Sequence, residues 1–376
     1  MVNKKVTNTN LSPIEDIVNE ARNGRMYVLV DNEDRENEGD LIIPAQMATP
    51  DIINFMATHG RGLICLSLSK SRIDELELSP MDRRNPGSLD TAFTVSIEST
   101  KDVTTGISAA DRAKTIQVAI DKNSTSNDIR TPGHVFPLKA REGGVLVRAG
   151  HTEAAVDISR IAGLNPSAVI CEIMNKDGTM ARLKDLLPFC KKHGLKIGSI
   201  ADLIRYRVNN DPIIKRENNN KLFTKLHGEW EIFAYKNTVE IKANNHFAIV
   251  KGKLDVSKPV LVRVHVCNFI NDIFDGYTGN AEGNNNISLH DSMSEIQKNG
   301  SGLIVLIGSN EENYQLNISS SDWKLEDKIR EHGIGAQIIR DLGVKEMILL
   351  SKSKREVVGL EGFDIKVNSQ RDISNG

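Results

Sequence analysis

Short apolar runs closed by polar turns recur along the first half of the chain, and between them the apolar spacing changes from strand-like to helical. Residues 26–30, 41–45, 62–68, 92–97, 144–148 and 168–173 read as strands. Residues 50–59, 109–120, 153–162 and 183–193 read as helices. Upstream, Ile14, Ile17, Val18 and Ala21 fall on one helical face. Ser12 is placed to cap that helix, Pro13 suits its first turn, Glu15 would complete a capping box, and Gly24 would stop it. The mixture predicts an α+β fold, a mixed-sheet α/β sandwich over residues 1–207. The polar, Asn-rich residues 208–221 read as a linker. A second α+β domain is expected over 222–376. Its strands lie near 247–250, 260–266 and 303–307, a helix at 335–341 is closed by Gly343, and the tail 368–376 is expected to be loose. No internal repeat is visible.

Composition narrows the function classes. The chain has 376 residues and a formal net charge of -2, with 48 basic and 50 acidic residues. No basic excess points to nucleic acid, and no apolar run is long enough for a membrane span. Residues 1–10 are polar and lack an apolar signal core, so a cytoplasmic location is expected. Cys65, Cys171, Cys190 and Cys267 are far apart, form no C-x-x-C pair, and read as free thiols.

One polar turn breaks the pattern. Between two strands stands Asp31-Asn32-Glu33-Asp34-Arg35-Glu36-Asn37-Glu38-Gly39-Asp40, with six acids and one Arg. A hairpin loop does not need six carboxylates, and their repulsion calls for a cation or a hydroxyl-rich ligand. Three more segments suggest a shared site. Thr104-Thr105-Gly106-Ile107-Ser108 leads into a helix and offers backbone N–H groups to an anion, although a plain Ser cap explains it as well. His134 sits between Pro132-Gly133 and Pro137, on what reads as a stiffened turn. Arg148-Ala149-Gly150-His151-Thr152-Glu153 opens a helix and is suited to gripping phosphate. Glu172 adds a carboxylate at a strand end. Taken singly, each of these also reads as ordinary structure.

Together they resemble one family. Asn32–Asp40, Thr104–Arg112, Pro132–Leu138 and Gly150–Ala154, with Cys171-Glu172 and Asp177-Gly178-Thr179-Met180-Ala181, are similar to the motifs of 3,4-dihydroxy-2-butanone 4-phosphate synthase of riboflavin biosynthesis. The resemblance covers about residues 12–207. Thr131 departs from it, because the family often carries Arg immediately before Pro-Gly-His, and here Arg130 stands one place earlier.

The resemblance implies conversion of D-ribulose 5-phosphate to L-3,4-dihydroxy-2-butanone 4-phosphate and formate with Mg2+ or Mn2+. It implies Glu36 and His151 as metal ligands and His134 and Glu172 as essential acid–base residues. Arg35, Glu36, Asp40, Thr105, Arg148, His151, Thr152 and Glu172 would contact substrate, and the protein would be a homodimer. A divalent ion would polarise the substrate ketone, and the several proton transfers need acids and bases of separated pKa. Cys65 would line the pocket or serve as a buried structural thiol.

Residues 221–366 resemble GTP cyclohydrolase II through Pro259–His265, Gly333–Ile339, Asp341–Val344 and Gly359–Phe363. The family's three zinc cysteines are missing, for alignment from His265 puts Asn268, Gly279 and Ala281 there, with Cys267 out of register by one. An Arg-rich loop is replaced by Ser309-Asn310-Glu311-Glu312-Asn313. The expectation is a degenerate domain with no zinc and no GTP hydrolysis. Two other readings stand beside this one: a bifunctional enzyme that also hydrolyses GTP, and a non-catalytic sensor of phosphorylated ligands.

Overall fold

The structure is a computed structural model, and the residues it describes are 11–32, 35–81, 91–239, 245–267, 272–273, 287–308, 325–351 and 365–372. Two compact units divide the chain, Met1–Tyr206 and Arg207–Gly376.

Along the first unit run α1 (Ile14–Arg22), β1 (Tyr27–Val30), β2 (Gly39–Pro44), α2 (Pro50–Phe55), β3 (Cys65–Leu68), α3 (Lys70–Glu75), β4 (Ile97–Ser99) and α4 (Ala109–Ile120). Then come β5 (Ile129–Lys139), α5 (His151–Ile161), β6 (Ser167–Glu172), α6 (Leu183–His193), β7 (Lys196–Ser199) and α7 (Ile200–Asn210), within which the division falls. The strands form one mixed sheet in the order β4-β5-β3-β6-β2-β1-β7. Only the β3–β5 and β1–β7 pairs are parallel.

Every residue of β1, β2 and β3 is buried, because helices cover both faces of the sheet. On one face Val28, Val30, Leu41, Ile43, Leu66 and Val169 pack with Ile53, Ile116 and Leu186 from α2, α4 and α6 and with Met56 just past α2. The alternate residues point the other way, towards α5, which lies against β2, β3 and β6. That second face carries the chemistry. Asp40 on β2 and Glu172 on β6 are direct neighbours in register. Phe136 of β5 is in register with Cys65 and Cys65 with Ile170, so His134, two residues before Phe136, faces the same way as Glu172.

The second unit contains β8 (Ile214–Thr224), β9 (Gly228–Asn237), β10 (His246–Lys251), β11 (Val260–Val266), α8 (Leu289–Asn299), β12 (Gly302–Ile307), α9 (Leu325–Asp341), β13 (Glu346–Leu350) and β14 (Lys366–Arg371). Its sheet has the order β14-β13-β11-β12-β10-β9-β8. Trp230, Ile249, Leu261, Met293, Ile296, Ile304 and Leu350 form a core on one face.

Several expectations are corrected. Residues 214–221 are not linker, since they belong to β8, which pairs antiparallel with β9. Ladder bonds use backbone groups, and on an edge strand polar side chains can face water. The tail is ordered through Arg371 for the same reason, as β14 lies beside β13; residues 373–376 are outside the described set. Residues 144–148 do not form a strand. Gly143 and Gly144 have φ of 90° and 62°, which turns the chain into a 3-10 helix at Gly144–Leu146. Ser12 does not cap α1. Its N–H is recruited by the carbonyl of Ile197 at 2.7 Å, and Pro13 becomes the N-cap without a side-chain bond. His134 stands within the long strand β5 rather than on a turn.

Candidate active site

The acidic loop between β1 and β2 is folded by its own first acid. Asp31 Oδ1 accepts the N–H of Glu38 at 2.8 Å, and Oδ2 accepts the N–H of Glu36 at 3.0 Å. Arg35 Nη1 donates to Asp31 Oδ2 at 2.9 Å and to Glu36 Oε2 at 2.6 Å. Arg182, at the start of α6, donates to the carbonyls of Glu36 and Asn37. Two cations and two backbone N–H groups thus offset the crowding of carboxylates. Glu33 and Asp34 lie outside the described residues.

The loop presents Glu36 to His151, the buried first residue of α5. His151 Nε2 is 3.2 Å from the carbonyl of Leu29 on β1, so that nitrogen carries the donated proton. In the neutral ring Nδ1 then keeps its lone pair, and it faces Glu36 Oε2 at 3.7 Å and Asp40 Oδ1 at 3.8 Å. A carbonyl-fixed tautomer with a free nitrogen among carboxylates is the arrangement of a metal-ligating histidine. Asp31, Glu36 and His151 each bring a ligand atom within 4.8 Å of the others. Asp31 accepts three bonds within the loop, whereas Glu36 accepts one, from Arg35.

Without a cation the cluster holds protons instead. Burial opposes charge on His151, but Asp40 and Glu36 outweigh it and push the imidazole up to about 9. Burial also opposes charge on Glu36, and there His151 and Arg35 prevail, drawing the carboxyl down to about 2. Asp40 is pushed up to about 7 by burial, with Glu172, Glu36 and Glu38 adding to it against the pull of His151.

Glu172 is anchored through Oε2, which accepts the N–H of Leu63 at 2.8 Å. Gly62 makes this approach possible, since a Cβ there would stand 2.4 Å from Oε2 and 2.5 Å from the Glu172 carbonyl oxygen. The thiol of Cys65 is buried close by and is pushed far up by burial first and by Glu172 and Asp40 after it, so it stays protonated.

Two further groups complete the face. His134 Nδ1 lies 2.7 Å from Glu98 Oε1 on β4. Arg148 donates to Glu153 Oε2 at 2.7 Å and to Thr91 Oγ1 at 3.1 Å, which aims its guanidinium beside the first turn of α5. The backbone N–H groups of that turn have no partner within the helix, and Gly150 caps it without a side chain.

The sequence pattern of 3,4-dihydroxy-2-butanone 4-phosphate synthase matches residues 15–206, just over half of the chain. The chain belongs to that family. Synthesis of 3,4-dihydroxy-2-butanone 4-phosphate in riboflavin biosynthesis is the activity of its first unit. A GTP cyclohydrolase II pattern matches residues 215–372 of the synthase. The riboflavin biosynthesis protein RibBA of Aquifex aeolicus is 43% identical over 94% of this chain and 90% of its own. The crystal structure of RibBX, a two-domain 3,4-dihydroxy-2-butanone 4-phosphate synthase from A. baumannii, superposes with a TM-score of 0.81 at 40% identity, covering 97% of this chain and all of that one. A 3,4-dihydroxy-2-butanone 4-phosphate synthase in complex with two magnesium ions superposes with a TM-score of 0.51 at 38% identity, covering 54% of this chain and 99% of that one.

In this synthase the fold brings Arg35, Glu36, Asp40, His151 and Glu172 into one cluster. Thr152 follows His151 and is buried with it, and Arg148 stands at the same helix start. His134 is not in that cluster. Its strand β5 is separated from β6 by β3, a distance of about 10 Å from inter-strand spacing. Thr105 is exposed beside Gly106, near His134 rather than near His151. Sequence reading missed Asp31 as the fold-maker of the loop and Glu98 as the partner of His134. Glu98 alternates with the apolar Ile97, so in the sequence it looks like a solvent-facing strand residue.

Proposed function

We propose that the first unit converts D-ribulose 5-phosphate to L-3,4-dihydroxy-2-butanone 4-phosphate and formate, with Mg2+ or Mn2+ held by Glu36 and His151. The observation that carries this reading is His151 itself, fixed by Leu29 so that Nδ1 faces Glu36 beside the Asp40–Glu172 pair. One carboxylate and one imidazole leave positions open for water and substrate, as Mg2+ prefers, and the imidazole suits Mn2+. A divalent ion bound there supplies polarisation of the substrate ketone.

The remaining work falls to this chain's own groups. Arg148 and the first turn of α5 grip the phosphate. Arg35 and the acidic loop take the sugar hydroxyls. In the metal-free cluster Asp40 is pushed up to about 7 by burial first, so that it can hold or release a proton near neutral pH. Glu172 and His134 serve as the other acid–base groups, at two places on the same face of the sheet.

The direct test is incubation with ribulose 5-phosphate and Mg2+, with and without EDTA, reading formate by NMR. Metal-dependent formate is expected. Its absence with both Mg2+ and Mn2+ would move the sensor reading to the front. The active form is read as a homodimer, so light scattering should find two chains per particle. A cytoplasmic location accompanies this reading; among the described residues no helix is long and apolar enough to cross a membrane.

Metal affinity should depend on pH with a definite sign. In the metal-free protein the raised His151 favours the folded state below about 6.5, and that contribution is lost as pH rises through about 9. Binding through Nδ1 requires loss of the same proton. Mn2+ affinity should therefore climb with pH, by up to about tenfold per unit on the acid side of that titration. Electron paramagnetic resonance of free Mn2+ between about pH 6.5 and 8 would show it, and a flat profile would remove His151 from the ligand set.

For the second unit we propose no zinc and no GTP hydrolysis. Cys267 is the single cysteine after residue 206, and burial, with Asp272 behind it, pushes its thiol up to about 11. One protonated thiol does not make a zinc site. Positions 268, 279, 281 and 309–313 lie outside the described residues, as does the segment 359–363. The bifunctional alternative stands on the match to GTP cyclohydrolase II over 215–372. Metal analysis by inductively coupled plasma should find far less than one zinc per chain, and GTP should not turn over. One zinc per chain with GTP hydrolysis would establish the bifunctional enzyme instead.

A further inference from the structure

We infer that Glu98 is a positioning residue for His134, and that Arg130 in turn holds Glu98. The inference deepens the reading of the first unit as a synthase that works through His134. Glu98 Oε1 lies 2.7 Å from His134 Nδ1, and Glu98 Oε2 accepts Arg130 Nη2 at 3.0 Å. The Glu98 side chain is 7% exposed and that of His134 is 43% exposed, so a buried carboxylate holds one side of a ring whose other side is open. A carboxylate only accepts, hence Nδ1 carries the proton and Nε2 turns its lone pair outward.

The backbone is built around this pair. Ile97 is in register with Val135 but Glu98 with Arg130, so one step along β4 spans residues 130–135 of β5. Such an irregularity re-aims side chains. Here it lets Arg130 and His134, four residues apart, reach the same carboxylate. Gly133 pins the irregularity by donating its N–H to Ser96 Oγ at 3.1 Å. Gly106, at φ +89°, closes over the pair. A Cβ there would fall 1.1 Å from Glu98 Oε1 and 2.7 Å from His134 Nδ1. The N–H of Gly106 is held at 3.0 Å by Asp111 Oδ2. His134 first, and Arg130 after it, draw Glu98 below the usual carboxylate range in spite of burial. The geometry also gives Arg130 a task. It stands one place before Thr131, where the family often has its Arg, and from there it grips the carboxylate.

The test is Glu98→Gln in the full chain. With kcat expected to fall roughly 10²- to 10³-fold, KM and Mn2+ affinity should stay within about threefold and the thermal midpoint within a few degrees. Glu98→Asp should recover part of the loss. Nitrogen-15 NMR of labelled histidine should show His134 protonated at Nδ1 in the wild type and that signature altered in Glu98→Gln. If Glu98→Gln does not fold, Arg130→Met carries the test, with an expected fall in kcat of about tenfold. Wild-type kcat in the variant that folds, or a wild-type His134 protonated at Nε2, overturns the inference. Absence of formate from the wild type would instead overturn the synthase reading, while the NMR result would still decide the Glu98–His134 pair.

Discussion

Glu36→Gln is expected to lower formate release by about 10³-fold or more and to abolish its response to added Mg2+. The cause is electrostatic. Glu36 faces His151 Nδ1 at 3.7 Å from the acidic loop, and an amide there keeps the shape while removing the charge. A divalent ion would be left with an imidazole and neutral oxygen, a poor set for Mg2+. The loop should survive the change. Its scaffold is the bonding of Asp31 to the N–H groups of Glu36 and Glu38 and of Arg182 to the carbonyls of Glu36 and Asn37, all through backbone atoms. Arg35 keeps Asp31 as a partner. Thermal unfolding should therefore match the wild type while Mn2+ affinity collapses. Mn2+ affinity and turnover both within about threefold of wild type would show that Glu36 is not a ligand.

Glu172→Gln should cost about 10²- to 10⁴-fold in kcat, the range expected for a lost acid–base group. Glu172 is directly opposite Asp40 in the sheet, and its Oε2 is held by the Leu63 N–H, so the carboxylate is placed before substrate arrives. The amide oxygen of Gln can keep the Leu63 bond, and the loss should appear in kcat more than in KM. Gly62→Ala gives an independent check without removing an acid. Its Cβ would stand 2.4 Å from Oε2 and also 2.5 Å from the Glu172 carbonyl oxygen, so both side chain and strand end must shift. A destabilisation of about 1–3 kcal/mol is expected together with a fall in kcat. A Glu172→Gln enzyme with wild-type kcat would remove Glu172 from the proton transfers.

Elements whose evidence is local were legible in the sequence. Helices α4 and α6 occupy the expected residues 109–120 and 183–193, and strand β11 the expected 260–266, because apolar periodicity and end signals lie within each segment. Segments without such a signal went astray. Residues 214–221 look like a linker by composition, yet β8 exists because β9 offers its backbone. Residues 144–148 look like a strand by hydrophobicity, yet two left-handed glycines and the bond from Val145 N–H to Asp157 Oδ2 at 2.8 Å turn them.

The site divides in the same way. Glu36, Asp40, His151 and Glu172 stood out by residue type and motif, so the sequence by itself determined which groups are available. Which of them meet was decided only by the tertiary structure. Leu29 fixes the tautomer of His151 across 122 positions, Leu63 holds Glu172 across 109, and Glu98 pairs with His134 across 36. No periodicity within a segment can report such bonds. They exist because a mixed sheet brings distant strands within about 5 Å of each other and turns alternate residues to one face.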